Sequence, residues 1–306
     1  MGTRAHDRIA EQQRVEWQKC KRSKAYFIHT YVQLFNATEQ VWLPFQLWPA
    51  QRRVIADLQA HRQIALLKAR QLGMTWLCLG HVLHEMIFRP AATGLLFSRR
   101  DTEAIELLSG EKLRGMYNRL PQWMQARWVV VDNSHEWRLS NGSRAMAFPT
   151  TAGDSYTANL VIVDEADLVP DLNRLMRSVK PTVDNGGQII LLSRSDKERP
   201  SSEFKQIYRG AKSGESDWHP IFLSWRAHPG RTDEWYAKQK VDCYTRTAGY
   251  DDLYEQYPES DDQALAPRQK DKRIAYDWIV AVGGVETQNF ASVRASVRTV
   301  GQWDHR

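Results

Sequence analysis

Four short apolar runs, separated by longer amphipathic stretches, constrain the fold of this 306-residue chain more than any other feature. The runs occupy residues 64–67, 94–97, 160–163 and 188–192. Continuous apolar runs of this length are typical of strands that are buried on both faces of a parallel sheet. Between the first two runs, residues 75–88 repeat apolar side chains at helical spacing. Strands that alternate with helices predict a layered α/β domain.

Two local patterns add detail to this prediction. Asp101 is a helix-capping residue, and we expect one helix to run from it towards Leu120. Residues 137–139 and 144–148 flank the pair Asn141-Gly142. Asn-Gly between two apolar-rich runs is a strong signal for a β-hairpin.

Composition excludes several classes of protein. Hydrophobic residues make up 42% and charged residues 25% of the chain, which argues against a disordered protein. No apolar stretch approaches the ~18 residues of a membrane span, so no membrane partner is expected. The three cysteines are odd in number and far apart, which indicates a reducing compartment rather than a disulfide framework. The net charge of +6 is compatible with a polyanionic partner.

The most informative segment follows the first apolar run, where a phosphate-binding loop belongs. Its residues are Lys68, Ala69, Arg70, Gln71, Leu72, Gly73, Met74 and Thr75. The usual pattern is Gly-x-x-x-x-Gly-Lys-Ser/Thr. Here Gly73 and Thr75 hold the sixth and eighth positions, but Met74 replaces the lysine and Lys68 stands at position one. Backbone amides at the start of a helix can cradle phosphate, and the Thr75 hydroxyl can bind Mg²⁺. A plain strand–turn–helix with a basic surface loop would also fit this segment.

A second element makes the phosphate-loop interpretation stronger. The apolar run at residues 160–163 ends in Asp164 and Glu165, which lie on the crevice side of an open α/β sheet. We expect Asp164 to hold Mg²⁺ and Glu165 to orient and deprotonate the attacking water. The alternative for these two acids alone is a solvated loop after a buried strand. Together the two elements predict an ATPase with ATP and Mg²⁺ as cofactors.

Two polar residues complete the predicted site. Ser193 follows the fourth apolar run, where a hydroxyl next to the γ-phosphate could couple hydrolysis to motion. A turn or capping serine is the alternative. Gln51 directly precedes a short predicted helix, residues 52–58, and its amide could read the adenine edge.

The combination resembles the ATPase domain of large terminase subunits, the DNA-packaging motors of tailed bacteriophages. The resemblance extends from about Phe45 to Leu265. Its markers are Trp48-Pro49-Ala50-Gln51, the loop at 70–75, Tyr156-Thr157-Ala158-Asn159, Val163-Asp164-Glu165-Ala166, the segment 186–190, Phe222-Leu223-Ser224-Trp225 with His228-Pro229, and Tyr257-Pro258-Glu259.

The resemblance has implications for fold, site and partners. The expected fold is α/β: a P-loop NTPase of RecA/ASCE-like type, with a mostly parallel β-sheet flanked by helices and a small lid subdomain. Some members of the family carry the loop lysine at the start, which supports Lys68, and Arg70 corresponds to a proposed arginine finger. The implied activity is ATP-driven translocation of double-stranded viral DNA into a procapsid, in the cytoplasm of a bacterial host. The implied partners are DNA, a portal protein, a small terminase subunit and further copies of the chain in a ring.

Together, the charge pattern at the N-terminus and the resemblance predict how the chain is divided. Residues 1–35 would form a basic helical leader and residues 36–200 the P-loop ATPase core. Residues 201–265 would be a lid and linker subdomain that completes the ATPase domain. Residues 266–306 would be a tail, at most the start of a nuclease domain, and we expect no nuclease activity. In that tail Gly283 and Gly284 stand where a metal-binding acid would be needed.

The sequence departs from the family pattern at two further places, and it is also compatible with two other classes of protein. Asp154-Ser155 stands where the family often has Arg-Gly, and Arg194 where a small residue is commoner. Residues 164–167 spell the DEAD box of superfamily 2 helicases, which need a second RecA-like domain. The altered loop is also compatible with a catalytically decayed prophage remnant that binds DNA or capsid.

Overall fold

A computed structural model describes residues 2–125, 128–151, 157–184 and 186–268 of the chain. Met1–Ala266 form one compact unit, and Pro267–Arg306 form a second, of which only the first two residues are described. The expectations for Asp154-Ser155, Tyr156 and the tail beyond Arg268 lie outside the described residues. Among the described helices, none combines the length and the apolar character that crossing a bilayer requires.

Helices and strands alternate through the compact unit. The helices are α1 (Gly2–Arg22), α2 (Lys24–Tyr31), α3 (Pro49–Ala60), α4 (Met74–Phe88), α5 (Asp101–Leu107), α6 (Leu113–Asn118), α7 (Leu172–Asp184), α8 (Glu203–Ser213), α9 (Asp233–Thr247), α10 (Asp251–Gln256) and α11 (Asp261–Leu265). The strands are β1 (Gln33–Asn36), β2 (Val41–Pro44), β3 (Gln63–Lys68), β4 (Thr93–Ser98), β5 (Val129–Asp132), β6 (Glu136–Leu139), β7 (Arg144–Pro149), β8 (Leu160–Asp164), β9 (Gln188–Ser193) and β10 (His219–Leu223).

One large sheet positions the candidate site. Its eight strands follow the order β10-β3-β9-β8-β4-β7-β6-β5, and β1 pairs with β2 separately. The pairs from β10 to β7 are parallel, whereas β7-β6 and β6-β5 are antiparallel. Strand β9 lies between β3, which enters the phosphate loop, and β8, which ends in the two acids. The sheet therefore brings three distant segments to one edge.

Side chains alternate between the two faces of the sheet, as the pleat requires. Ile64 and Leu66 of β3 belong to a core with α3 and α4, whereas Ala65 and Leu67 belong to a second core with α7 and α8. Both faces are thus covered by helices. This double burial explains why the strands are continuous apolar runs rather than alternating ones.

The structure confirms the predicted α/β fold, with a mostly parallel sheet flanked by helices. The four apolar runs are strands, and the hairpin at Asn141-Gly142 joins antiparallel β6 and β7. The helix predicted from residues 52–58 is longer, because Pro49 is well suited to its first position.

The single helix expected from Asp101 to Leu120 is wrong. The chain forms α5 and α6 with a break between them, where Gly110 has low helix propensity and the Ser109 side chain accepts a backbone hydrogen bond. Arg100, not Asp101, occupies the capping position of α5. Asp101 lies in the first turn, where a negative charge favours the helix dipole.

The ends of the compact unit pack on the same core. Cys20 of α1 and Phe27 of α2 are fully buried against it, so the leader is anchored beside α4. Strand β10, from the segment assigned to the lid, is an edge strand of the main sheet. The domain boundaries at residues 35, 200 and 265 stay predictions.

Candidate phosphate-binding site

The parallel register aligns the ends of four strands at one edge of the sheet. Lys68 is the partner of Leu223, Leu67 of Ser193, and Leu192 of Asp164. Residues that are up to 155 positions apart (223 − 68 = 155) therefore lie side by side. Ligands of open α/β sheets bind outside this carboxyl edge.

The phosphate loop runs from the end of β3 to the start of α4. It contains two left-handed residues, Gln71 with φ 59° and Gly73 with φ 70°. Gly73 is the capping residue of α4, and a Cβ atom built there would lie 3.0 Å from the Gln51 side-chain nitrogen. Both the positive φ and this close approach favour glycine. The last residues of the loop therefore lead directly into the N-terminus of α4. The first N–H groups of a helix have no acceptor within that helix, so they can donate to a ligand.

Gln51 supports this loop by a side-chain hydrogen bond. Its Nε2 donates to the Leu72 carbonyl at 3.0 Å, and its Oε1 accepts from the Trp48 amide at 2.9 Å. The side chain is only 1% exposed. The structure thus gives Gln51 a supporting role that the sequence did not suggest, while adenine reading stays a prediction that would require the amide to become accessible.

Residues from the C-terminal part of the compact unit also form hydrogen bonds with the loop. The Ala69 amide donates to the Leu223 carbonyl and the Arg70 amide to the Gln256 carbonyl, each at 2.8 Å. The Arg231 guanidinium donates to the Arg70 carbonyl at 3.0 Å and to Gln71 Oε1 at 3.1 Å. Two of the predicted phosphate-binding amides are therefore engaged within the protein. The remaining predicted amides, from Gln71 to Thr75, lie at or directly before the start of α4, where a helix N-terminus can bind phosphate; binding by them stays a prediction.

Arg231 is a site residue that sequence reasoning missed. Its guanidinium lies 4.8 Å from the ring centroids of both Trp235 and Tyr257. Burial lowers its pKa from the ordinary arginine value. The arginine lies 161 residues from Arg70 in sequence, and no local motif marks it.

The two candidate lysine positions of the loop have different environments. Lys68 ends β3, its side chain is 7% exposed, and its Nζ lies 3.4 Å from Glu165 Oε1. Met74, at the usual lysine position, is 2% exposed and belongs to the core shared by α3 and α4. The ammonium group of Lys68, at position one of the loop, therefore lines the pocket. The side chain at position seven, Met74, packs in the apolar core instead.

Thr75 and Asp164 meet directly. The Thr75 hydroxyl lies 3.2 Å from Asp164 Oδ1 and 3.1 Å from Oδ2, and it donates to this carboxylate. Burial, together with the neighbouring Glu165 carboxylate, raises the pKa of Asp164 to about 6. The buried excess of negative charge is what a divalent cation would offset. Hydroxyl and carboxylate oxygens are also the donor set that Mg²⁺ prefers, so these residues fit that ion.

Glu165 is held only loosely. Its carboxylate accepts from Ser193 Oγ at 3.3 Å and from the Arg194 amide at 3.4 Å, besides its contact with Lys68. Hydrogen bonds of this length are weak, so they constrain the orientation of the side chain little. The residue also has a left-handed backbone, with φ 51°. Such strain in a residue other than glycine is concentrated at functional sites.

Two neighbours link the acids to the C-terminal helices. Ser193 also accepts from the Asp167 amide at 3.1 Å, and Arg194 forms an ion pair with Glu255 of α10. Asp167, the last residue of the DEAD run, is fully buried in an ion pair with Lys205 of α8. In this chain Asp167 therefore connects two elements behind the pocket.

The pocket between these groups has a volume of about 460 Å³. It is lined by Lys68, Arg70, Gln71, Leu72, Gly73, Met74, Thr75, Trp76, Lys112, Asp164, Glu165 and Tyr257. Arg70 is exposed at its edge while its backbone is fixed on both sides. Trp76 and Lys112 are lining residues that the sequence did not single out, and Tyr257 was named there only as a marker of the resemblance. The volume and the cationic side chains suit a phosphorylated ligand.

No protein-family model and no curated protein matches the sequence. The structure is similar to the large terminase ATPase domain of Thermus phage P74-26, with 18% identity over 64% of this chain and 87% of that chain, and a TM-score of 0.51. It is also similar to the large terminase of bacteriophage HK97, with 15% identity over 81% of this chain and a TM-score of 0.61. The HK97 match covers 55% of that protein, so this chain spans about half its length. The chain therefore has the fold of the large terminase ATPase domains.

Proposed function

We propose that this chain is an ATP-hydrolysing motor subunit that moves double-stranded viral DNA, corresponding to the ATPase part of a large terminase. The observation that carries the proposal is the convergence of Lys68, Thr75, Asp164, Glu165 and Ser193 at one edge of the sheet. The fold shared with two phage large terminases supports the DNA-packaging role.

The side chains divide the work of hydrolysis. The amides from Gln71 to Thr75 bind the phosphate oxygens, and Lys68 Nζ neutralises their charge. Thr75 and Asp164 would hold Mg²⁺, which offsets charge on the phosphates when it is bound. Arg70 would act on the γ-phosphate, and its exposed position at the edge of the pocket supports this role.

Glu165 is the proposed general base. Its loose contacts with Lys68, Ser193 and the Arg194 amide allow it to orient a water molecule and accept its proton. Binding of phosphate near Lys68 would draw the ammonium away from Glu165. Ser193 and Arg194 would then transmit the change to α10 through Glu255.

We further propose that the motor works with the partners that a large terminase requires. These are DNA, a portal protein, a small terminase subunit and further copies of this chain in a ring. The structure offers less support for a DEAD-type helicase, because Asp167 is fully buried in its ion pair with Lys205.

The proposal is tested by phosphate release with and without linear double-stranded DNA. Glu165→Gln should retain binding of a fluorescent ATP analogue but lose turnover by at least about 100-fold. Glu111→Gln, on an exposed loop, is the matched control and should behave as wild type. Nucleotide binding without turnover in the wild type would support the decayed remnant instead. ATP-dependent strand separation would support the helicase.

A further inference from the structure

A second cluster of chemically reactive side chains lies at the opposite edge of the sheet from the phosphate loop. Asp57 is in the last turns of α3, His61 directly follows that helix, and His219 is the first residue of β10. Strand β3 separates this edge from Lys68 by about 17 Å, at about 3.3 Å per residue. The cluster is therefore independent of the proposed ATPase site.

The three side chains converge. One ligand atom from each of Asp57, His61 and His219 lies within 4.8 Å of the other two. His219 Nε2 is 3.7 Å from Asp57 Oδ1. The two imidazole rings stack at a centroid distance of 3.7 Å with an interplanar angle of 4°.

The backbone explains why the side chains share one place. Asp57 and His61 are four residues apart, and the His61 amide donates to the Asp57 carbonyl at 3.0 Å, so both side chains project from one helical face. His219 is in register with Ile64 on the neighbouring strand. Gln188 donates to the His61 carbonyl at 2.7 Å and fixes the backbone there.

We propose that Asp57, His61 and His219 form a binding site for a divalent transition metal, of which Zn²⁺ is the best match. Two imidazole nitrogens and one carboxylate oxygen are a frequent zinc donor set, with a fourth position left for water. Donor atoms around a tetrahedral ion at about 2.1 Å lie about 3.4 Å apart, so these three atoms would have to approach by up to about 1.4 Å. The two parallel rings would also have to rotate out of their stack, so that a nitrogen lone pair of each points at the same ion. The side chains of His219 and Asp57 are 30% and 34% exposed, so the ion has a path from solvent.

The site would fasten an edge strand to a helix. Strand β10 carries Leu223, whose carbonyl binds the loop amide of Ala69, and α3 carries Gln51, which supports the loop from beneath. Bound metal would join the far ends of these two elements. We therefore expect Zn²⁺ to raise the thermal unfolding midpoint by about 5 °C when it is present at a hundredfold excess over its dissociation constant.

The test uses the full chain freed of metal with EDTA. Titration with Co²⁺ should produce the intense visible absorption of a four-coordinate site at one equivalent, and Zn²⁺ should abolish it. His61→Ala and His219→Ala should each weaken binding by at least about tenfold. His135→Ala is the matched control, because His135 pairs with Asp101 at 2.9 Å in a two-residue cluster, and it should bind like wild type.

The outcomes separate the proposal from simple stacking of two histidines. Asp57→Asn keeps the stacked rings, so a loss of Co²⁺ absorption in this variant with unchanged far-UV circular dichroism would support ligation. Absence of four-coordinate Co²⁺ absorption in the folded wild type would overturn the proposal. Absorption that persists in both histidine variants would do the same, because the metal would then be bound elsewhere, for example by the acids of the phosphate pocket.

Discussion

Replacement of Lys68 by alanine tests the altered register of the phosphate loop. The Lys68 ammonium is nearly buried and lies 3.4 Å from Glu165 Oε1, at the edge where phosphate oxygens would bind. Loss of one preorganised donor to developing charge typically lowers kcat by about 10² to 10³, or about 3–4 kcal/mol of barrier. We expect Lys68→Ala to lose at least about 100-fold in ATP turnover.

A second effect of the same substitution is smaller. Lys68 lowers the pKa of Asp164, which burial and Glu165 hold at about 6. At pH 7 a carboxyl with that pKa is roughly one-tenth protonated. Removal of Lys68 would raise this pKa, whereas Mg²⁺ bound at Asp164 would favour the ionised carboxylate, so we expect little change in the ionised fraction under the assay conditions. The lost interaction with phosphate therefore dominates the expected effect.

Substitution of Met74 provides the control. Truncation to alanine would leave a cavity in the core at a cost of about 2–5 kcal/mol, which would confuse folding with catalysis. Met74→Leu conserves volume and should cost less than about 1.5 kcal/mol. Its turnover should match wild type.

The assay is steady-state phosphate release at saturating ATP and Mg²⁺, together with binding of a fluorescent ATP analogue. Turnover of Lys68→Ala within about threefold of wild type would refute the assignment of the loop charge to position one. Equal losses in Lys68→Ala and Met74→Leu would refute it as well, because position seven would then matter as much.

Three further predictions concern stability and the grip on the loop. Asp167→Asn leaves the buried Lys205 without its counter-charge and should lower the free energy of unfolding by about 3–5 kcal/mol in urea titrations. Arg231→Ala removes two hydrogen bonds to the loop and should raise the KM for ATP about tenfold with a smaller change in kcat; Arg231→Lys should resemble it, since lysine lacks the planar fork. Burial lowers the pKa of His81 to about 3 and that of His84 to about 4. Both histidines therefore stay neutral in the folded chain, whereas in the unfolded chain they bind protons below about pH 6.5. Because protons then favour the unfolded state, the free energy of unfolding at pH 5 should be lower by about 2 kcal/mol per histidine, as measured in urea titrations.

Each of these predictions has an outcome that would contradict it. A loss below about 1 kcal/mol in Asp167→Asn would mean that the pair with Lys205 contributes like a surface ion pair. An unchanged KM in Arg231→Ala would show that the loop keeps its shape without the guanidinium. If a variant with glutamine at both His81 and His84 lost as much stability between pH 7 and pH 5 as wild type, other groups would be responsible.

The strands of the sheet and the acids that follow them could be predicted from the sequence, whereas the contacts between distant segments could not. Runs of buried strand residues and the acids that follow them depend on local pattern, and the structure places Thr75, Asp164 and Glu165 together as expected. Contacts such as Arg231 with Arg70 depend on how distant segments pack, and no periodic pattern reports that.

The pair His81 and His84 shows the same limit. Polar residues at helical spacing, such as His81, His84 and Glu85, usually form an exposed helix face, but the structure buries both histidines. His81 contacts Lys24 and Gln188, and His84 Nε2 donates to the Cys20 carbonyl. Hydrophobic patterning treats histidine as polar, whereas long-range partners satisfy its nitrogens inside the protein.

The attachment of the phosphate loop to Leu223, Arg231 and Gln256 has a thermodynamic consequence. If nucleotide binding changes the loop, it must also change the free energy of the segment that carries these contacts, and linkage makes the effect equal in both directions. A partner that binds α9 or α10 and changes these contacts would then alter nucleotide affinity, and nucleotide would alter the affinity for that partner by the same factor. A contact made outside the phosphate pocket would in this way change the affinity of the pocket for nucleotide.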